Sequence, residues 1–106
     1  MKSVEEIKNI EGQLEQILYN VMDPEINLNI VDLGLIYSLV YDGENDVVIK
    51  MTFSTPACPL GDAIVMSVKQ SINNVFPDYG IDVQIVFDPP WTTEMISENG
   101  KMMLGM

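Results

Sequence analysis

The hydrophobic period of this chain switches between helical and alternating several times, and each switch restricts the folds open to it. Val4 to Val21 carries Ile7, Ile10, Leu14, Ile17, Leu18 and Val21 at helical spacings, with Glu5, Glu6, Glu11 and Glu15 largely on the other side. Ser3 followed by Glu6 has the form of a capping box, so the spacing predicts a first helix ending near Asp23-Pro24. Proline blocks further helix, and Asp23 to Ile30 reads as a loop. The period then shortens to two. Leu35, Tyr37, Leu39 and Tyr41 alternate with Ile36, Ser38 and Val40, and from Val47 to Ser54 the residues Val47, Ile49, Met51 and Phe53 are in phase. Two such runs around the polar Asp42-Gly43-Glu44-Asn45-Asp46 predict an antiparallel hairpin. Gly61 to Phe76 returns to a helical stripe of Ile64, Val65, Val68, Ile72, Val75 and Phe76, closed by Pro77. Ile81 to Asp88 predicts a third strand with Val83, Ile85 and Phe87 on one face, ended by Asp88-Pro89-Pro90-Trp91. A short helical tail over Thr92 to Leu104 follows, weakened by Asn99-Gly100.

The order is therefore helix, strand, strand, helix, strand and a final short helix. A strand–helix–strand crossover places the third strand parallel to one hairpin strand. The expected fold is α+β in two layers, with helices covering a small mixed three-stranded sheet, and residues 1–106 forming a single domain.

Composition removes several function classes. Sixteen acids face five lysines and no arginine, for a net charge of −11, which excludes phosphate-neutralising nucleic-acid binding. The acidity suits solubility, and is compatible with a basic protein partner. No apolar run reaches membrane-spanning length and the start of the chain has no signal-peptide core, so a cytoplasmic protein is expected. A chain with one cysteine and no histidine has no disulfide framework, no Ser-His or Cys-His couple and no closed zinc set. Phosphate-cradling glycine loops are absent too. Eight methionines, several near the C-terminus, lack a ligand spacing and serve as gap-fillers.

Chemistry is left to three loops. In Ser54-Thr55-Pro56-Ala57-Cys58-Pro59, proline suits a first helical turn, which puts Cys58 at or near an N-cap. Free N–H groups and the helix dipole there favour thiolate. An inert Cys58 acting as a small hydrophobe is the competing reading. Thr52, Ser54 and Thr55 supply hydroxyls just ahead of it, for a thiolate or sulfide or for the strand-end backbone. Asp32, inside the apolar Ile30-Val31-Asp32-Leu33-Gly34, must cap a turn, accept N–H bonds or face a site, because an isolated buried charge is too costly. Trp91, after two prolines, is either an aromatic anchor for a partner or the lid on one end of a small core.

Four segments occur in order: Asp23-Pro24-Glu25, then Ile30 to Tyr37, then Met51 to Pro59, then Asp88-Pro89-Pro90-Trp91. Together they resemble the SufT/PaaD-type family of small proteins implicated in metal–sulfur cluster assembly, related to the cytosolic iron–sulfur targeting adaptor of eukaryotes. The resemblance spans roughly Leu14 to Leu104. It implies an αββαβ-type fold and a reactive or ligand cysteine at Cys58, with Asp32 and Thr55 lining the same pocket. Thr52 and Ser54 join that lining, and Glu25 and Trp91 become the candidates for partner contact. It implies a role in maturing iron–sulfur proteins, by carrying or delivering iron–sulfur species or by docking clients. Two departures stand out. Asn27 occupies a position where many members have proline or glycine, and the segment Met95 to Lys101 lacks the Ala-Arg pair many relatives carry.

Iron–sulfur clusters usually take four cysteine ligands. One chain offers one thiolate and a two-fold dimer offers two, so cargo held at Cys58 must borrow ligands and is suited to transfer. The expected partners are client apoproteins and the assembly machinery. Two other functions remain open: an adaptor that docks clients without metal, and a thiol enzyme with Cys58 as nucleophile and Asp32 as its partner.

Overall fold

A computed structural model describes residues 2–55 and 61–106. Helix α1 spans Val4–Leu18 and starts at a true capping box, in which the Ser3 hydroxyl accepts the Glu6 N–H (3.2 Å) and Glu6 accepts the Ser3 N–H (3.4 Å). The helix stops earlier than its pattern suggests. The N–H groups of Tyr19, Asn20 and Val21 each reach back three residues, to Gln16, Ile17 and Leu18, tightening the end into a 3₁₀-type turn. Val21 is then drawn elsewhere, its carbonyl accepting the Ile30 N–H at 2.9 Å.

The expected loop over Asp23 to Ile30 is instead a small hairpin. Strand β1 (Met22–Asp23) pairs antiparallel with β2 (Leu28–Asn29). Burial of Leu28 and Ile30 drives this pairing, and pairs too short to show a period left no alternating signal. Asn27 sits at φ 61°, a conformation glycine takes freely and proline's fixed φ forbids.

Strands β3 (Ile36–Tyr41) and β4 (Asp46–Met51) form the expected antiparallel hairpin. Asp42 organises its turn by accepting the Glu44 and Asp46 N–H groups at 2.7 and 3.1 Å. The register slips between Ile36 and Ser38, so that Ile36 faces Met51 while Leu39 faces Ile49. The single alternating face predicted for Leu35 to Tyr41 is broken there, because a bulge adds one residue to β3. Tyr37 is the displaced residue, and its hydroxyl donates to the Pro89 carbonyl at 2.7 Å.

Strand β4 stops at Met51 rather than running to Ser54. Beyond it, the Thr52 N–H turns to the Leu35 carbonyl at 2.9 Å. Helix α2 (Gly61–Val75) returns the chain to β5 (Gly80–Ile85), which pairs parallel with β4 in a sheet of order β3-β4-β5. β5 ends before Phe87, which is 47% exposed and only tilts against Phe53. The tail splits into a 3₁₀ turn, Thr93–Met95, and a short α3, Glu98–Met103. Ile96 between them is extended and buried, so the single helix predicted from Thr92 is interrupted to bring that side chain inward.

The core joins Leu14 and Leu18 of α1, Val47, Ile49 and Met51 of β4, and Ile64, Val68 and Ile72 of α2. Leu28, Ile30, Leu33 and Leu35 extend it under the small hairpin. No helix among the described residues is long and apolar enough to cross a membrane.

Candidate functional site

Three structural units hold Glu25, Asp32 and the hydroxyls of Thr52, Ser54 and Thr55 that the sequence nominates. The first is the β1–β2 hairpin. Asp23 is buried, and its carboxylate accepts the N–H groups of Glu25 (2.8 Å) and Ile26 (3.4 Å), while its carbonyl accepts the Asn27 N–H (2.8 Å). An aspartate folded onto its own following backbone is an Asx turn, which Asp-Pro-Glu favours. Glu25 is thereby held exposed at the hairpin tip. A cleft of about 190 Å³ separates this hairpin from α2 and is lined by Met22, Pro24, Ala63, Ile64 and Ser67.

The second unit is a knot around Asp32, which is only 6% exposed. One carboxylate oxygen accepts from the Asn29 side-chain amide and the other from the Ser97 hydroxyl, both at 2.7 Å. The Asn29 side-chain carbonyl accepts the Asp32 N–H (2.8 Å), and the Asp32 carbonyl accepts the Ser97 N–H (2.8 Å). Ser97 is also the N-cap of α3, its hydroxyl accepting the Gly100 N–H at 2.9 Å. Hydrogen bonds from Asn29, and then Ser97, hold the Asp32 carboxyl below its ordinary value of 3.8 despite burial. Asp32 thus fastens the small hairpin to the C-terminal helix. None of these bonds reaches Thr52, Ser54 or Thr55.

Two glycines permit this closure. A Cβ on Gly100 would come within 2.9 Å of Leu28 and Ile96 side-chain atoms, and one on Gly34 (φ 78°) would collide with the Met95 carbonyl. The Asn99-Gly100 that weakens the tail as a helix is therefore what lets α3 lie against Leu28 and Asp32.

The third unit is the end of β4. Thr52 is fully buried, and its hydroxyl has no hydrogen-bond partner among the described residues. An unpartnered buried hydroxyl costs roughly 1–3 kcal/mol. Ser54 is half-buried and Thr55 exposed, so the polarity grades outward along the chain. Phe53 lies against Gly61, where a Cβ would come within 2.8 Å of its ring and α2 begins. Cys58, and with it the expected N-cap placement, lies outside the described residues.

Trp91 is half-buried against the core, and its indole N–H donates to the Leu33 carbonyl at 2.7 Å. Its polar handle is used internally, as a lid on one end of the core would use it, while the ring stays partly exposed. The structure also brings forward residues that pattern reading passed over: Asp23 for the hairpin tip, and Asn29 and Ser97 for Asp32. Their signals were local: an Asx turn at Asp23-Pro24-Glu25, a polar pair three residues apart at Asn29 and Asp32, and serine before Glu98. Among the described residues no three His, Cys, Asp or Glu side chains gather in a form that could hold a metal ion.

The geometry defines a small α+β protein with a mixed sheet, an acidic hairpin tip and a polar strand end leading into α2. Residues 11–84 match the family model described as iron–sulfur cluster assembly protein, and the chain belongs to that family. It is similar to the Fe-S protein maturation auxiliary factor YitW of Bacillus subtilis strain 168, with 38% identity over 93% of each chain. It is also similar to the Fe-S protein maturation auxiliary factor SufT of Staphylococcus aureus strain USA300, with 37% identity over 81% of this chain and 98% of that one. Among solved structures, a domain of unknown function from Bacillus anthracis superposes with a TM-score of 0.92. It shares 35% identity, with 98% of this chain and 99% of that one covered.

Proposed function

We propose that this chain is a maturation factor for iron–sulfur proteins, with Cys58 holding iron or a cluster as cargo on its way to a client. The carrying observation is the donor inventory: a member of an iron–sulfur assembly family has one cysteine and no histidine. Cys58 is the sole thiolate the chain can offer, and the methionine thioethers lack a ligand spacing. With one thiolate against the usual four, the remaining ligands come from oxygen donors, small thiols, a second copy or the client. Such a site releases cargo readily and fits transfer between proteins, and the factor acts in the cytoplasm without turnover chemistry of its own. The Thr52 hydroxyl, buried and without a partner among the described residues, stands six residues before Cys58 and supports this reading as a hydrogen-bond donor toward sulfur, with Ser54 and Thr55 nearer the solvent side.

The test is anaerobic reconstitution with ferrous iron and sulfide, comparing the native chain with Cys58→Ser. Visible charge-transfer absorption and bound iron that vanish in the variant are expected. Equal absorption in the two proteins overturns the role of Cys58. Absence of absorption in the native chain leaves a docking adaptor, with Glu25 on the exposed hairpin tip as its contact.

A further inference from the structure

The outer strand β3 and helix α1 leave a groove of about 460 Å³ between them. Its helical wall is the stripe Lys8, Glu11, Gly12 and Glu15, and its floor is β3 from residue 36 to 39 together with Val31. Among the described residues β3 is an edge strand, paired only with β4. Its bonding alternation is set by the Asp42 N–H donating to the Asp46 carbonyl at 3.0 Å. Counting back in an antiparallel pair, the backbone groups of Tyr41 and Leu39 turn away from β4. The Tyr41 N–H is met there by the Glu11 carboxylate at 2.9 Å. No side chain or neighbouring loop among the described residues meets the N–H and carbonyl of Leu39. Gly12 opens the wall opposite: a Cβ built on it has nothing within 4 Å. Mid-helix glycine weakens a helix, and here no close packing requires it.

We propose that this groove receives an extended, basic segment of a partner protein, which adds to β3 as a further strand. Strand addition to an open edge supplies main-chain bonds, while the groove walls select side chains. The charge of the wall selects the occupant. Glu11 and Glu15 outnumber Lys8, on a chain of net charge −11, so lysine or arginine at alternate positions of the segment is favoured. A second copy of this chain is disfavoured, because β3 against β3 would bring both Glu11–Glu15 pairs together. The Glu11 carboxylate occupies the place of the incoming carbonyl at Tyr41. Once displaced, it pairs with the partner's cation. Neither Thr52, Ser54 nor Thr55 lines the groove, so the inference stands apart from the cargo reading.

The test uses the full chain, isotope-labelled for NMR, and a synthetic peptide of about eight alternating lysines and valines, a common strand length. Binding that weakens with salt and slows amide exchange at Leu39 is expected, and a glutamate–valine peptide should not bind. Gly12→Leu fills open space with a better helix former, so it folds, and it should weaken the lysine peptide by about tenfold or more. Cys58→Ser should bind as the native chain does, which separates this result from any failure of the cargo reading. Unslowed exchange at Leu39, or equal binding by Gly12→Leu, overturns the proposal. A dimer in sedimentation that Gly12→Leu disperses overturns it in favour of a second copy.

Discussion

The knot around Asp32 and the end of β4 both bury polar atoms, and they do so on opposite terms. At Asp32 both carboxylate oxygens, the N–H and the carbonyl are bonded, by Asn29 three residues away and by Ser97 65 residues away. At Thr52 the backbone N–H is bonded but the hydroxyl, equally buried, has no partner among the described residues. Satisfied polar networks fix a structure, whereas an orphaned group carries a cost the fold retains for some other reason. The contrast gives the Asp32 bonds an architectural task. It leaves Thr52 as the buried side chain with bonding capacity to spare among the described residues.

The largest effect should come from the knot. Asp32→Ala strips the acceptors from Asn29 and Ser97 and should cost about 3 kcal/mol, read as a lower urea midpoint with unchanged slope. Combined with Ser97→Ala it should be non-additive by more than about 0.5 kcal/mol, and combined with Thr52→Val additive within that margin. Coupling to Thr52 would break the comparison by joining the two regions.

Acid should reproduce part of the same loss. The Asp32 carboxyl is held below its ordinary value of 3.8, so the unfolded chain takes up its proton first. Its contribution is complete above that value and disappears as pH falls below it, through the folded value. The urea midpoints of the native chain and Asp32→Asn should therefore converge as pH is lowered through that window. A gap that stays constant would show that the charge contributes nothing.

The smallest effect should be at Thr52. Thr52→Val removes a hydroxyl without a partner among the described residues and should leave stability unchanged or raise it by about 1 kcal/mol, while reducing Cys58-dependent iron uptake. A clear loss of stability would give the hydroxyl a structural partner and erase the contrast.

Much of this architecture was legible along the chain, for identifiable reasons. The stripes of α1 and α2 and the alternation of β3, β4 and β5 are long enough for periodicity to report burial, and the capping box at Ser3 is wholly local. The small hairpin was not legible, because pairs such as Met22 with Asn29 have no period and Asp23-Pro24 reads equally as a loop. The bulge at Tyr37 escaped because alternation in sequence says nothing of the register of a partner strand. Among the nominated residues, Asp32 was correctly singled out as a carboxylate needing partners. Grouping it with Thr55 was not supported by the bonds it makes. Trp91 divided between partner and core in the sequence, and no local pattern could have shown its indole N–H on Leu33.

By itself the sequence determined the α+β class, the absence of histidine chemistry, the acidic surface and the uniqueness of Cys58. These depend on composition and on contacts within a few residues. Only the tertiary structure decided which polar groups were satisfied, because Asp32 and Ser97 lie 65 residues apart and Trp91 and Leu33 58. It likewise decided that Asn99-Gly100, unfavourable in a helix, permits the approach of α3 to Leu28, and that Gly12 opens a groove beside an unpaired strand edge. A propensity is a property of one residue, but a partner or a space exists only once distant segments have met.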